Sequence, residues 1–343
     1  MRSCIALLYQ GRPLAYDLSE RLVIGLASSA LFDLEESDRV FREQGEASYR
    51  IYQRDNENKP LSTGVAFPFI KRLLSLNELS PDNPPIEVVL LSRNDPETGL
   101  RVMKSIEHHE LGITRAIFLQ GRYPHRFIPA LNISLFLSAN RQDVDQAILA
   151  GHPAGQVLSS GDLDLTDEEE LRIAFDFDGV LVTDESETIY QQQGIDAFHE
   201  YERANAQVPP EAGLLAVFLR KLAYIQMLEK QREEETQGAY RPKVRVSIVT
   251  ARNAPAHERV IHTMRSWGVT VNEAYFLGGI AKEHVLGIIK PHIFFDDQAS
   301  HLSATSDILP SVHVPFGQLN HGLGASEEGA VRPGLSSREE GAA

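Results

Sequence analysis

The sequence predicts an α/β fold built on parallel sheet, and three observations carry that expectation. Short continuous apolar runs recur at 21–27, 87–92, 116–121 and 133–138, and again at 172–176, 244–250, 274–279 and 292–297. Uninterrupted runs of this length suit strands covered on both faces, as in a parallel sheet. Helix-like stretches separate them: in 256–268, Val260, Met264 and Trp267 fall at i, i+4 and i+7, and Gly268 stands where a helix stops. Strand followed by helix, repeated, implies right-handed crossovers. The third observation is that the second half repeats the order of the first.

At an offset of 149, Leu22/Leu171, Ile24/Ile173, Glu36/Glu185, Ser37/Ser186, Gly45/Gly194, Tyr52/Tyr201, Gly64/Gly213 and Phe69/Phe218 coincide. Further on the offset becomes 158 or 159, where "SRNDP" (92–96) faces "ARNAP" (251–255) and "FLQG" (118–121) faces "FLGG" (276–279). Matches that keep their order over so long a stretch read as an internal duplication. The expected organisation is an α/β lobe over 1–151, a Gly/Ser/Asp-rich linker over 152–170 and a second lobe over 171–316. Within the second lobe, about 184–240 reads as a small helical cap, with aromatics such as Tyr190, Phe198 and Tyr201. Residues 317–343 lack periodicity and large apolar side chains and are expected to be disordered.

Bulk composition narrows the partners. The 343 residues carry 33 Lys plus Arg against 48 Asp plus Glu, a formal charge of −15. That sign argues against a nucleic-acid polymer or an anionic membrane as main partner, though a local cation can still admit a small phosphate ester. With Cys4 as the single cysteine, neither an internal disulfide nor a cysteine zinc site can form. The opening apolar stretch is too short for a signal-peptide core, and no run approaches a membrane span, so a cytoplasmic location is expected.

The chemistry is written at strand ends. Asp176 and Asp178 follow the apolar run 172–176, and Asp296 and Asp297 end the run 292–297. In open α/β sheets that edge is where ligands bind. Paired carboxylates at buried strand ends are costly unless a cation joins them, and an oxygen-rich cluster selects Mg²⁺. Thr250 ends another strand and can donate to a phosphate oxygen. Lys282 heads a helical stretch and can neutralise a nucleophilic carboxylate and a phosphate together.

The order Asp-x-Asp, Thr, Lys, Asp-Asp resembles the four motifs of the haloacid dehalogenase-like phosphatase superfamily. The longer strings "ALFDLEES", "GVAFPFIKRLL", "VVLLSRNDPETGLRV", "LFLSAN", "DGVLVTDESE" and "FFDDQ" are similar to the cytosolic 5′-nucleotidase I family. That resemblance covers the chain to about residue 316. It implies a Rossmann-like sheet of the haloacid dehalogenase type and Mg²⁺-dependent hydrolysis of nucleoside 5′-monophosphates, with AMP and related deoxynucleotides favoured. It also brings in an ADP-like nucleotide as activator and leaves a homo-oligomer open. Catalytic roles then fall to Asp176, Asp178, Thr250 and Lys282, and metal binding to Asp176, Asp178, Asp296 and Asp297. Nucleoside contacts are expected from Phe177, Thr183, Ser186, Arg252 and Asn253. Two readings stand beside this one: a phosphatase or phosphotransferase for another small phosphate ester, and a non-catalytic nucleotide-binding regulator.

In the first half, the positions facing Asp176, Asp178, Thr250, Lys282, Asp296 and Asp297 read as Ala27, Ser29, Leu91, Pro124, Ser138 and Ala139. That lobe is expected to fold without catalysing. It then serves as a packing partner or as a nucleotide sensor through Arg93, Arg122 and Arg126.

Overall fold

The computed structural model describes residues 16–158 and 169–317. Most of the expected linker and the expected tail therefore lie outside the described residues. The chain opens with β1 (Leu22–Leu26), the short α1 (Ser28–Leu31), the long α2 (Glu35–Asp55) and α3 (Phe67–Ser75). Then come β2 (Ile86–Ser92), α4 (Pro96–His108), β3 (Arg115–Phe118), α5 (Phe127–Ala130), β4 (Leu135–Ser138), α6 (Arg141–Leu149) and β5 (Ala154–Leu158). The second half runs β6 (Leu171–Phe175), α7 (Glu185–Ala204), α8 (Ala216–Glu235), β7 (Val244–Thr250), α9 (His257–Ser266) and β8 (Glu273–Phe276). It closes with α10 (Lys282–Ile289), β9 (Ile293–Asp296), α11 (Ala299–Thr305) and β10 (Ser311–His313).

The strands form one sheet in the order β3-β2-β1-β4-β5-β10-β9-β6-β7-β8. Pairing is parallel throughout except where β5 meets β10, with Val157 opposite Val312. Read outward from that junction, each half has the same order. The two halves expected as lobes carry two half-sheets joined edge to edge. The stretch 152–170 is not wholly a linker, because Ala154–Leu158 is β5, paired to both β4 and β10. Closing two edges against each other removes two exposed strand templates at once. The antiparallel seam also turns the C-terminal strand ends of the two halves toward opposite edges of the sheet.

Apolar strands cover themselves with helices. Phe175 and Phe295, on adjacent strands, stack at 5.1 Å between ring centroids, and Phe218 of α8 packs at 6.0 Å from each. All three are fully buried, each stabilising by roughly 1.5–3 kcal/mol. Leu219, Leu222 and Ile225 of α8 lie in the same core as Phe175 and Val244. Helix α8 is therefore a crossover helix of the core, and only α7 remains of the cap expected over 184–240. No helix of the described residues is long and apolar enough to cross a membrane.

The halves also share backbone irregularities. Helix α2 kinks at Gly45 (φ 81°) and α7 at Gly194 (φ 85°). Left-handed residues recur at Glu110 and Gly268, Gln120 and Gly278, Gly121 and Gly279, and Asn132 and Lys290. A polar strut recurs as well. Arg101 donates to the Lys59 carbonyl and to Gln53 beside the Tyr52 ring, as Arg259 donates to the Val208 carbonyl and to Glu202 beside Tyr201.

The strand register corrects one pairing. Leu26 pairs with Leu90 where Phe175 pairs with Ile248, so the residue corresponding to Thr250 is Ser92, not Leu91. Both hydroxyls accept from a backbone N–H two residues on, Asn94 for Ser92 and Arg252 for Thr250. The sequence alignment slipped by one because "SRN" and "ARN" match better at offset 159 than at the structural 158.

Candidate active site

Strands β9, β6 and β7 are neighbours, so their C-terminal ends bring Asp296, Asp176 and Thr250 to one point. Lys282, the first residue of α10, reaches across to both acids, its Nζ 2.9 Å from Asp176 Oδ2 and 2.7 Å from Asp296 Oδ2. The backbone N–H of Phe177 donates to Asp176 Oδ1 at 2.7 Å, fixing the carboxylate's rotamer. Asp297 follows directly and lies against Gly179. A side chain at 179, where φ is +71°, would put its Cβ 2.3 Å from Asp297 Oδ2, so only glycine lets the loop after β6 pass this close.

These groups are deeply buried: Asp176 and Lys282 are 4% exposed, Asp297 2% and Asp296 0%. Burial pushes Asp176 up to about 6, with Lys282 pulling against it and Asp296 and Asp178 adding to it. Burial, reinforced by Asp176 and Asp296, pushes Asp297 up to about 9. At Asp296 burial is outweighed by Lys282 and His301, which hold it below the usual carboxylate range. Burial would lower Lys282, but Asp176 and Asp296 carry it above the ordinary lysine value. One ammonium thus serves three buried acids, and a further cation would relieve the repulsion that remains.

The donor set fits a metal ion. Asp176, Asp296 and His301 present ligand atoms all within 4.8 Å of one another. His301 lies on the first turn of α11, with Nδ1 at 3.2 Å from Asp296 Oδ2. Carboxylate oxygens dominate the cluster, which favours a hard divalent cation over a soft one. The sequence reading missed His301. Its only signal was a spacing of five residues after Asp296, across a strand-to-helix turn.

Asp178 is placed differently from its neighbour. Its carboxylate is gripped at both oxygens by Arg252, at 2.7 Å through Nε and 2.7 Å through Nη2. Arg252 continues to Glu202 of α7, which also accepts from Arg259 at 2.9 Å and from Ser186 Oγ at 2.7 Å. Arg252 is held above its usual value; burial opposes this, but Asp178 and Glu202 outweigh it. A buried chain of ion pairs therefore ties the second aspartate to the kinked helix above it. Glu202 was not singled out from the sequence, since a helical glutamate ordinarily faces solvent.

The other expected nucleoside contacts scatter. Phe177 is fully buried beneath Arg252, whose guanidinium sits 4.9 Å from the ring centroid. Ser186 is 1% exposed and committed to Glu202. Arg252 itself faces acids rather than a cleft. Asn253 Oδ1 accepts a hydrogen bond from His199 Nε2 of α7 at 3.2 Å. Thr183 is half-buried at the start of the cap, its backbone N–H donating to the Glu211 carbonyl. Of the cap aromatics, Phe198 and Tyr201 pack against Arg252 and Arg259, while Tyr190 stays 44% exposed.

Comparison with known proteins agrees with this constellation. The family model described as 5′-nucleotidase matches residues 14–321. Human cytosolic 5′-nucleotidase 1B is 34% identical over 288 residues, covering 82% of this chain and 46% of that protein. The chain thus spans about half the length of that relative. No solved structure matches it. A match across nearly all the described residues, set on convergent strand-end acids, places the chain in the 5′-nucleotidase family.

Proposed function

We propose that this chain hydrolyses nucleoside 5′-monophosphates to nucleoside and phosphate, in the cytoplasm, at the ends of β6, β7 and β9. The observation that carries the reading is Lys282 bridging Asp176 and Asp296 at the meeting point of three strands, within a chain of the 5′-nucleotidase family. The order of β6, β7 and β9, with the acids at their tips, supports a fold of the haloacid dehalogenase type. The mirrored strand order and paired kinks at Gly45 and Gly194 support an internal duplication that left the first half without the reacting groups.

In this reading Asp176 attacks phosphorus in line, and the bond to the 5′-oxygen breaks as Asp178 gives that oxygen a proton. Water then attacks the aspartyl-phosphate, Asp178 takes its proton, and the bond between Asp176 and phosphorus breaks. Lys282 holds Asp176 in place and offsets charge on the phosphoryl oxygens. Thr250, 1% exposed at the end of β7, donates to one of those oxygens. Mg²⁺ held by Asp176, Asp296 or Asp297 and the backbone carbonyl of Asp178 would supply electrostatic stabilisation of the phosphoryl group. To act as acid, Asp178 leaves its pair with Arg252, so Arg252 and Glu202 set its resting rotamer. Thr183 and Asn253, at the edge of α7, are the nucleoside contacts that fit best.

Phosphate release across a panel of nucleoside monophosphates, with Mg²⁺ or with EDTA, tests the proposal. Turnover of AMP or its deoxy analogue that needs the metal is the expected result. Equal release from sugar phosphates, or turnover in EDTA, would overturn it.

A further inference from the structure

The first half keeps a cleft where the second half keeps its acids. It measures about 730 Å³, within the roughly 300–1,000 Å³ usual for small-molecule sites, and Ala27, Ser29 and Ala139 form its floor. These residues correspond to Asp176, Asp178 and Asp297. Because the β5–β10 seam is antiparallel, the cleft opens on the opposite edge of the sheet from the Asp176 cluster.

The walls define what it can hold. Asp143, on the first turn of α6, takes the position that His301 holds in the second half, and it is 2% exposed. It lies 3.4 Å from Arg93 Nη1, and Ser138 Oγ donates to it at 3.3 Å. Arg93 is thus already matched by an acid, and the position corresponding to Lys282 is Pro124. The other arginine of the lining, Arg42, lies one turn from Asp38 and is balanced by it, so a free phosphate entering here would meet the Asp143 carboxylate with no unmatched cation. A hydroxyl-bearing ligand would instead find a carboxylate acceptor backed by the amides of Asn94 and Asn140, as ribose hydroxyls do in dinucleotide folds. On the other wall, Phe41 stands edge-on to Tyr49 at 5.6 Å, and Phe41 is 50% exposed. A half-exposed ring beside a second aromatic offers a platform for a planar base. Tyr49 is held there by its hydroxyl, which donates to Asn94 Oδ1 at 3.2 Å.

We infer that this cleft is a second, non-catalytic site that binds the nucleoside moiety, base plus ribose, of a nucleoside or its phosphate ester. The ligand class leans on the chain's proposed handling of nucleotides, whereas the site itself stands on the cleft and its walls.

The test is equilibrium binding of adenosine, AMP and inorganic phosphate to the full chain in metal-free buffer, where hydrolysis does not intervene. Variants Phe41→Ala and Asp143→Asn are compared with the unaltered protein, and melting curves verify their fold. Saturable binding of adenosine is expected, with AMP within a few-fold of it and phosphate not bound. Either variant should weaken adenosine at least about tenfold, which is 1.4 kcal/mol, and leave Mg²⁺-supported turnover of AMP unchanged. The exposed Phe41 keeps the test readable if Asp143→Asn fails to fold. Binding of phosphate alone, adenosine binding untouched in Phe41→Ala, or no saturable adenosine binding would each overturn the inference. Binding as expected in a protein that hydrolyses no nucleotide would leave this site standing and remove the proposed activity.

Discussion

The tips of β1, β2 and β4 and the tips of β6, β7 and β9 are built on the same plan and carry opposite chemistry. In the second half, Asp176, Asp296 and Asp297 crowd around Lys282, and burial drives two of the three acids upward. In the first, Ala27, Ser138 and Ala139 occupy those places, and the electrostatic tension is gone. What the two halves share is mechanical: the helix kink, the arginine strut to the carbonyl of Lys59 or Val208, and the hydroxyl of Ser92 or Thr250 that caps the following loop. The difference separates two kinds of residue. Those that set strand spacing and loop shape recur in both halves, and those that repel one another without a cation occur only where a reaction would repay the cost.

The largest expected break in this comparison is Asp176→Asn, which should lower turnover by at least about 10³-fold with little change in melting temperature. Introducing acids in the first half, with Ala27→Asp and Ser29→Asp, should produce no activity in that background, because Pro124 cannot replace Lys282. Next comes the arginine over the second aspartate. Arg252→Met strands Asp178 and leaves Glu202 with Arg259 and Ser186 alone, and chemical denaturation should show a loss of about 3 kcal/mol. At the corresponding position, Asn94→Ala removes one hydrogen bond from Tyr49 and should cost about 1 kcal/mol. A smaller contrast is expected at the hydroxyls: Thr250→Ala should reduce kcat about tenfold or more, while Ser92→Ala leaves it unchanged.

A further contrast lies in pH dependence. Asp176 and Asp297 hold protons more tightly in the fold than in the unfolded chain, so unfolding above the ordinary carboxylate value releases protons. Stability of the metal-free protein should therefore fall as pH rises from about 4 toward 9, and saturating Mg²⁺ should flatten that slope. Melting curves at several pH values, with EDTA or Mg²⁺, read this directly. A slope unaffected by Mg²⁺ would separate the acids from the metal.

Much of this was legible in the sequence, for identifiable reasons. Eight apolar runs became eight strands, because continuous β-branched and aromatic stretches have few other ways to bury both faces. The acids at 176, 178, 296 and 297 stood out because strand ends are short and their polar residues are conspicuous. Strands β5 and β10 were missed: "AGQVL" and "SVH" are short and weakly apolar, and they are strands because each completes the other's edge. Helix α8 read as cap because its hydrophobic residues are spread around the helix, although half of them are buried, with Phe218 against Phe175 of β6 and Phe295 of β9. Arg252 read as a nucleoside contact because it follows a strand whose end lies at the site, the edge where ligands bind in open α/β sheets. Its partners Asp178 and Glu202 lie 74 and 50 residues away, and no local pattern announces them. His301 was invisible for the same reason, since its value depends on where α11 begins.

Trapping the covalent intermediate tests the central claim most directly. The protein is quenched in acid during steady-state turnover of AMP with Mg²⁺, reduced with borohydride, which converts an aspartyl-phosphate to homoserine, and mapped by mass spectrometry. Homoserine at position 176, absent when AMP is omitted, is the predicted result. Turnover that continues with residue 176 unreduced, or reduction confined to another residue, would contradict the assignment of the chemistry to the tip of β6.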